Sequence, residues 1–258
     1  MGMKWNADGL VSVRSENIGR YKRNFLKQAV CELRFPTLME LGETRPPAAF
    51  VNALRKDYPH LDLANEVTIG TNGGIPGSNN AHIFRSSKLN WTVSLKQSSL
   101  SIETTAYTEY AQLKERVMKV VAAAVNIIES DFFTRIGLRY INVVDADDAD
   151  PTYGWINQAM VQPILSKKFE GIQEYAGRIQ LNSDDGGCLL QHGIRLKQSR
   201  RDEKTQPPEY LLDIDAYRND VSVSDSEFAL DAMHRQAFDV FDWCLDEKAR
   251  EYLSSKGK

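Results

Sequence analysis

The sequence lacks long apolar runs and has few cysteines, and each scarcity excludes a class of protein. No stretch approaches the roughly 20 apolar residues that span a bilayer, and residues 1–20 lack the apolar core of a signal peptide. The three cysteines, Cys31, Cys188 and Cys244, stand far apart and leave one unpaired. That number suits buried thiols in a reducing compartment better than a disulfide scaffold. We therefore expect a cytoplasmic protein without a membrane segment.

Catalytic and cofactor motifs are also missing. No histidine stands four residues from another or beside a cysteine, and no Cys-x-x-Cys occurs, so we expect no zinc site. Neither a Gly-x-Ser-x-Gly turn nor a phosphate-binding Gly-x-Gly-x-x-Gly is present. The glycine-rich loop 70–77 leads into a short strand pattern rather than a helix, which favours a surface loop. The missing motifs favour a non-enzymatic protein, and we expect no cofactor. We expect Cys31 to lie in the core.

The charge balance argues against a general affinity for nucleic acid. The 258 residues carry a net charge of -3 and a pI near 5.9, whereas nucleic-acid-binding proteins usually show a basic footprint. A local basic patch remains compatible with this balance.

Two periodicities are present. Alternating apolar residues, the mark of a half-buried strand, predict strands over 25–35, 66–70, 82–85, 90–96 and 100–104, then over 135–144, 174–182, 188–197 and 210–217. Apolar residues every three or four positions predict two long helices, 108–130 and 226–253. Shorter helices are expected after Pro46-Pro47 and around 153–165.

Both halves of the chain show the same order of elements: strand, short helix, three or four antiparallel strands, long helix. We therefore expect an α+β protein with one curved antiparallel sheet and two long helices on one face. Its shape would resemble the TATA-binding-protein fold or a helix-grip fold. The expected parts are a flexible N-terminal arm (1–20) and two similar halves (21–131 and 132–258) that form one compact unit.

Arginines inside the strand patterns are the most suggestive polar feature. The set is Arg34, Arg85, Arg139, Arg178 and Arg195. On an open sheet face they would form a rigid surface for carboxylates or phosphates, because guanidinium binds both bidentately, and Lys96 and Lys197 would extend it. The alternative is that they pair across strands with carboxylates: Glu32, Glu103, Asp213 and Asp215.

An acidic run offers a second candidate site. Asp145, Asp147, Asp148 and Asp150 are spaced closely enough to supply oxygen ligands to a hard cation. The run lacks the central glycine and distal glutamate of an EF-hand loop. A solvated loop before a helix is the favoured interpretation, and no metal site is expected.

Several segments together resemble a known family. They are the Val30-Cys-Glu-Leu-Arg-Phe35 strand, the helix end at Tyr58-Pro59, the Trp91–Leu95 hairpin and above all Leu138-Arg-Tyr-Ile-Asn142. They are similar to a sporadically distributed prokaryotic family of roughly 250-residue proteins without an assigned activity. The resemblance covers about residues 20–250 and transfers no catalytic residues. It implies an accessory role, such as phage defence or control of a neighbouring gene product.

The leading hypothesis is a non-enzymatic binding or regulatory module that recognises a protein partner or an anionic ligand on the open sheet face. The first alternative is a nucleic-acid-associated protein that uses the same face. The second is a metal-dependent hydrolase built on residues 145–150. Self-association is left open.

Overall fold

A computed structural model describes most of the chain. The described residues are 4–68, 77–144, 150–170, 172, 174–195 and 209–255, with the backbone alone for 66–68, 77–79 and 195. The predicted glycine-rich loop, most of the acidic run, and Lys197 lie outside them.

The described residues form an α+β fold with one large antiparallel sheet, as predicted. Its strands are β1 (Leu26–Arg34), β2 (His60–Thr68), β3 (Gly77–Arg85), β4 (Trp91–Leu95), β5 (Ser99–Thr104), β6 (Phe132–Val144), β7 (Tyr175–Ser183), β8 (Gly186–Arg195) and β9 (Glu209–Ser222). Their order in the sheet is β2-β3-β4-β5-β1-β6-β9-β8-β7. The predicted internal duplication and saddle shape stay predictions.

Five α-helices accompany this sheet within the described ranges. They are α1 (Ala48–Leu54), α2 (Tyr110–Ile128), α3 (Gln158–Leu165), α4 (Ser226–Cys244) and α5 (Glu247–Ser254). None of these helices is both long and apolar enough to cross a bilayer.

The last helical stretch differs from the prediction of one helix over 226–253. The chain leaves the helix after Cys244 and starts a new one at Glu247. Asp246 has extended backbone dihedrals, and its side chain accepts a hydrogen bond from the amide of Glu247. An aspartate in this role satisfies an amide that has no partner inside the helix. The apolar stripe continues past the end of α4 into α5, so the spacing of apolar residues does not reveal where one helix ends and the next begins.

In β1, β4 and β5 of the first unit, alternation of burial gives one covered and one open face. In β1 the side chains of Ala29, Cys31 and Leu33 are fully buried, and the intervening ones are half-buried. β4 and β5 alternate in the same way. The apolar stripe of α2, from Leu113 to Ile128, is also buried, and these surfaces form a core because each presents one apolar face.

Contacts divide the chain into two compact units. The first comprises Gln28–Leu138 and Tyr217–Asp231. The second comprises Lys4–Lys27, Arg139–Ala216 and Ala232–Lys258. β6 and β9 therefore each belong partly to both units. The predicted division into two halves at residues 131 and 132 was based on the order of the elements along the chain.

The N-terminal segment belongs to the second unit. A flexible arm is predicted for residues 1–20, but Trp5 is 3% exposed. The Asp185 carboxylate accepts the amide hydrogen of Ala7 at 3.0 Å, and Asp239 accepts that of Ser15 at 2.8 Å. Single apolar anchors and backbone amides hold the segment, and neither produces a periodic pattern in the sequence.

Candidate functional site

The open face of the first unit is lined by short polar side chains. Along β1, the half-buried Glu32 faces Ser101 and the exposed Arg34 faces Ser99 of β5. Ser94 of β4 in turn faces Ser101. These serines occupy little space beside the longer charged side chains of the same face.

Two arginines converge on one glutamate at this face. Arg34 Nε donates to Glu32 Oε1 at 2.5 Å, and Arg135 Nη1 lies 3.7 Å from the same oxygen. The Arg135 guanidinium carbon also sits 4.9 Å from the centre of the Tyr217 ring, within the range of a cation–π interaction. We call Glu32, Arg34, Arg135 and Tyr217 the Glu32 cluster.

Gly137 makes room for the Arg135 side chain. A Cβ added at this glycine would lie 2.9 Å from Cζ and 3.0 Å from Nη2 of Arg135. Residues two apart in a strand share a face, so the guanidinium folds back over the position that a side chain at 137 would occupy. The absence of that side chain therefore allows the observed Arg135 conformation.

Other charged groups on the open face of the first unit are paired as well. Arg85 of β3 forms an ion pair with Asp62 of β2, and their side chains are 39% and 59% exposed. Glu103 accepts a hydrogen bond from Gln28 Nε2 at 2.9 Å, whereas it was expected to pair with a strand arginine. The surface thus carries charges of both signs in adjacent positions.

The second unit contains an arginine–carboxylate pair joined at two points. Arg139 binds Asp213 through two hydrogen bonds, Nε to Oδ1 at 2.8 Å and Nη2 to Oδ2 at 2.5 Å. The Asp213 side chain is only 10% exposed. This hydrogen bonding raises the pKa of Arg139 above its ordinary value, against the opposing effect of burial, so the guanidinium stays charged.

The remaining predicted arginines are less engaged or not described. Arg178 lies exposed on β7, with Nη2 3.4 Å from Gln180 Oε1. Arg195 ends β8, and its side chain is outside the described residues. The expected alternative of carboxylate pairing across strands is found for Arg139 with Asp213, whereas Arg34 pairs with Glu32 of its own strand.

The acidic run shows no metal-binding arrangement in its described part. Asp150 accepts the amide hydrogen of Thr152 at 2.8 Å and that of Tyr153 at 3.3 Å. Burial favours a higher pKa for Asp150, but hydrogen bonds from the Thr152 hydroxyl and these amides outweigh it and lower the pKa. Asp145, Asp147 and Asp148 lie outside the description, and no cluster of three metal-ligating side chains occurs within it.

The thiols and the buried histidines serve packing. Cys31 and Cys244 are fully buried and Cys188 is 1% exposed, and none of the three forms a disulfide bond. His82 Nε2 lies 3.2 Å from the Leu41 carbonyl oxygen. Burial lowers the pKa of His82 below 6.5, against the opposing effect of this contact. These placements match the expectation that Cys31 is part of the core.

His192 lies in a ring cluster in the second unit. Its Nδ1 is 2.6 Å from the Tyr210 hydroxyl, and its ring centre is 6.2 Å from that of Tyr175. The side chain is 8% exposed, and burial lowers its pKa below 6.5. Such a neutral, enclosed imidazole stabilises the interior of the unit.

No protein-family model and no curated protein sequence matches this chain. The roles of the residues at the site are therefore inferred from their positions and contacts.

Sequence reasoning found Arg34 but missed the residues that position it. Arg135 shares the face of Arg139, since the two stand four residues apart in one strand. Strict period-two reading would therefore have added Arg135 to the candidates. Tyr217 and Gly137 carry no such signal, because their role depends on which strands become neighbours.

Proposed function

We propose that this chain is a non-enzymatic binding module that recognises a protein partner through the open sheet face of its first unit, centred on the Glu32 cluster. The observation that carries the proposal is the positioning of Arg34 and Arg135 around one shared carboxylate. Both guanidiniums are held against Glu32, yet the Arg34 side chain remains 56% exposed. A charged group that is fixed in place and exposed loses little conformational entropy when a partner binds.

The chemistry of this surface suits a protein more than a free anion. An arginine has five N–H donors, and Arg34 uses its Nε–H for Glu32. The carboxylates of Glu32 and Asp62 stand beside the two exposed arginines and would repel a phosphate. A protein surface can instead meet both signs of charge with complementary groups, which provides specificity. Arginine and tyrosine, both present in the cluster, are enriched in protein interfaces.

A catalytic role has less support. Among the described residues the buried thiols and imidazoles pack inside the units, and the clustered carboxylates pair with arginines. The arginines and carboxylates of the open face are therefore paired with one another, which suits recognition rather than proton transfer.

Site-specific photo-crosslinking tests the proposal. A benzophenone amino acid is placed at Ser101, which faces Glu32 across the strands, and in a control protein at Glu115, an exposed position on α2. We expect a discrete protein adduct from Ser101 after irradiation of cells that express the chain, and none from Glu115. The captured protein is then purified and titrated against the wild type.

Variants at the Glu32 cluster decide whether the captured protein is the partner. Arg34→Glu should weaken its binding at least tenfold. The double exchange Glu32→Arg with Arg34→Glu keeps the ion pair but reverses its polarity, so it should not restore binding. Equal affinity for wild type and both variants, or adducts of the same protein from both crosslinking positions, would contradict the proposal.

Nucleic acid is distinguished by salt dependence. Phosphate contacts would make the affinity for a single- or double-stranded oligonucleotide fall steeply with salt. We expect no binding at 50 mM salt; saturable binding that Arg34→Glu abolishes would refute recognition of a protein.

A further inference from the structure

The second unit contains a separate apolar cavity that the open sheet face does not use. Its volume is about 210 Å³. Three walls line it and leave one side open to solvent: residues 10–13 of the N-terminal segment, the β7–β8 hairpin, and α4. All three belong to the second unit, so the cavity is a property of that unit by itself.

The lining is almost entirely uncharged and apolar. The hairpin contributes Leu190 and Cys188, and α4 contributes Trp243. Among the described lining residues, the polar groups are the Ser12 hydroxyl, the Cys188 thiol and the Trp243 indole N–H. Water requires two to four polar partners to be held in a cavity, and this lining supplies few. The cavity is therefore chemically matched to an uncharged apolar occupant.

The cavity also has an apolar entrance. Val13 and Ile179 belong to the lining and are 41% and 40% exposed, whereas Cys188 and Leu190 are 1% and 3% exposed. Exposure thus decreases from the rim to the floor. An apolar molecule could enter between the N-terminal segment and β7 without passing a charged group of the lining.

We propose that this cavity is a binding site for a small uncharged apolar molecule, such as a short alkyl chain or a single aromatic ring. The volume sets its size: an apolar cavity of about 150 Å³ holds benzene, so about 210 Å³ corresponds to about eight non-hydrogen atoms by the same ratio. A carboxylate inside it would be unpaired and costly to bury.

A series of straight-chain 1-alkanols from butanol to nonanol tests the site on the full chain. Binding is followed by the fluorescence of Trp243, with Trp243→Phe to identify its contribution, and by the thermal midpoint. We expect the affinity to rise about fourfold per methylene, which corresponds to about 0.8 kcal/mol, and to level off near heptanol. Hexanoate should bind at least tenfold more weakly than hexanol.

Two matched variants connect binding to this cavity. Val13→Trp fills the entrance and should lower the heptanol affinity at least tenfold. Val125→Trp changes a valine of similar exposure, 38%, on α2 in the first unit and should leave it unchanged. Heptanol should also slow the alkylation of Cys188 by N-ethylmaleimide, while the fully buried Cys31 and Cys244 serve as internal references.

Three results would overturn the proposal. The first is affinity that keeps rising through nonanol, which indicates adsorption to the surface. The second is equal heptanol binding by wild type and Val13→Trp. The third is protection of Cys188 from alkylation by a captured protein but not by any alkanol, which would show that the cavity binds a side chain of a protein partner.

Discussion

Gly137→Ala should move the Arg135 guanidinium without unfolding the first unit. The new Cβ would clash most closely with Arg135 Nη1 and would lie 2.9 Å from Cζ, where ordinary contact begins at 3.4 Å, so the guanidinium must move by at least about 0.5 Å. The atoms in the way are the end of a flexible side chain rather than backbone. The displacement should therefore separate Arg135 from Glu32 and from the Tyr217 ring.

The expected change in the free energy of unfolding is small because opposing terms are similar. An exposed ion pair contributes about 0–1 kcal/mol, and an exposed cation–π contact contributes about 0.5–1 kcal/mol. Replacing glycine by alanine within a strand recovers about 0.5–1 kcal/mol. Gly137→Ala should therefore change stability by less than about 1 kcal/mol, measured by urea denaturation.

Nuclear magnetic resonance locates the guanidinium directly. In the wild type, the Arg135 side-chain protons next to the Tyr217 ring should be shifted upfield, and this shift should be lost in Tyr217→Leu. Gly137→Ala should reduce it in the same direction. An unchanged Arg135 resonance, or a loss of more than about 3 kcal/mol, the size of a core defect, would refute the role assigned to Gly137.

Three further predictions concern the second unit and the buried histidines. Arg139→Ala should cost about 1.5–3 kcal/mol in urea denaturation, the range for hydrogen bonds to charged groups, because the Asp213 carboxylate is left nearly buried and unpaired; no loss would show that the carboxylate reaches water. Trp5→Ala should cost about 3–5 kcal/mol, because this side chain is 3% exposed, whereas a flexible arm would tolerate the change. Burial lowers the pKa of His82 and of His192 below 6.5, so the unfolded state binds protons first. Stability should therefore decrease as the pH falls below about 6.5, the pKa of an unfolded histidine, by up to about 1.4 kcal/mol per histidine and pH unit, and less in His82→Gln; a stability that rises on acidification would contradict this.

Strands and helices with a continuous buried face could be predicted from the sequence. The alternation of Ala29, Cys31 and Leu33 anticipated both β1 and its covered face. The stripe of α2 likewise anticipated a helix at 108–130, and the helix spans Tyr110–Ile128. In these cases one physical pattern, burial on one side, determines both the element and its orientation.

Features that depend on single contacts between distant residues could not be predicted. The end of α4 depends on Asp246, whose capping role leaves the apolar stripe intact. The burial of Trp5 depends on partners such as Asp185, about 180 positions away in the chain, which binds the adjoining amides. Neither contact produces a periodic pattern of apolar residues in the sequence.

The candidate site was predictable only in part for the same reason. Period two places Arg34 and Glu32 on one face of β1, which makes their pairing a natural expectation. It does not show that β6 becomes the neighbour of β1. Without that order, the convergence of Arg34 and Arg135 on one carboxylate cannot be foreseen.

The most direct test of the central claim compares two surface ion pairs of the first unit. Arg34 pairs with Glu32 on the open sheet face, and Lys114 pairs with Asp231 between α2 and α4. The measurement is the dissociation constant of the photo-captured protein for Arg34→Ala and for Lys114→Ala. We predict at least a tenfold weakening for Arg34→Ala, about 1.4 kcal/mol, and less than twofold for Lys114→Ala. Equal effects of both changes, or a larger effect of Lys114→Ala, would contradict recognition through the open sheet face.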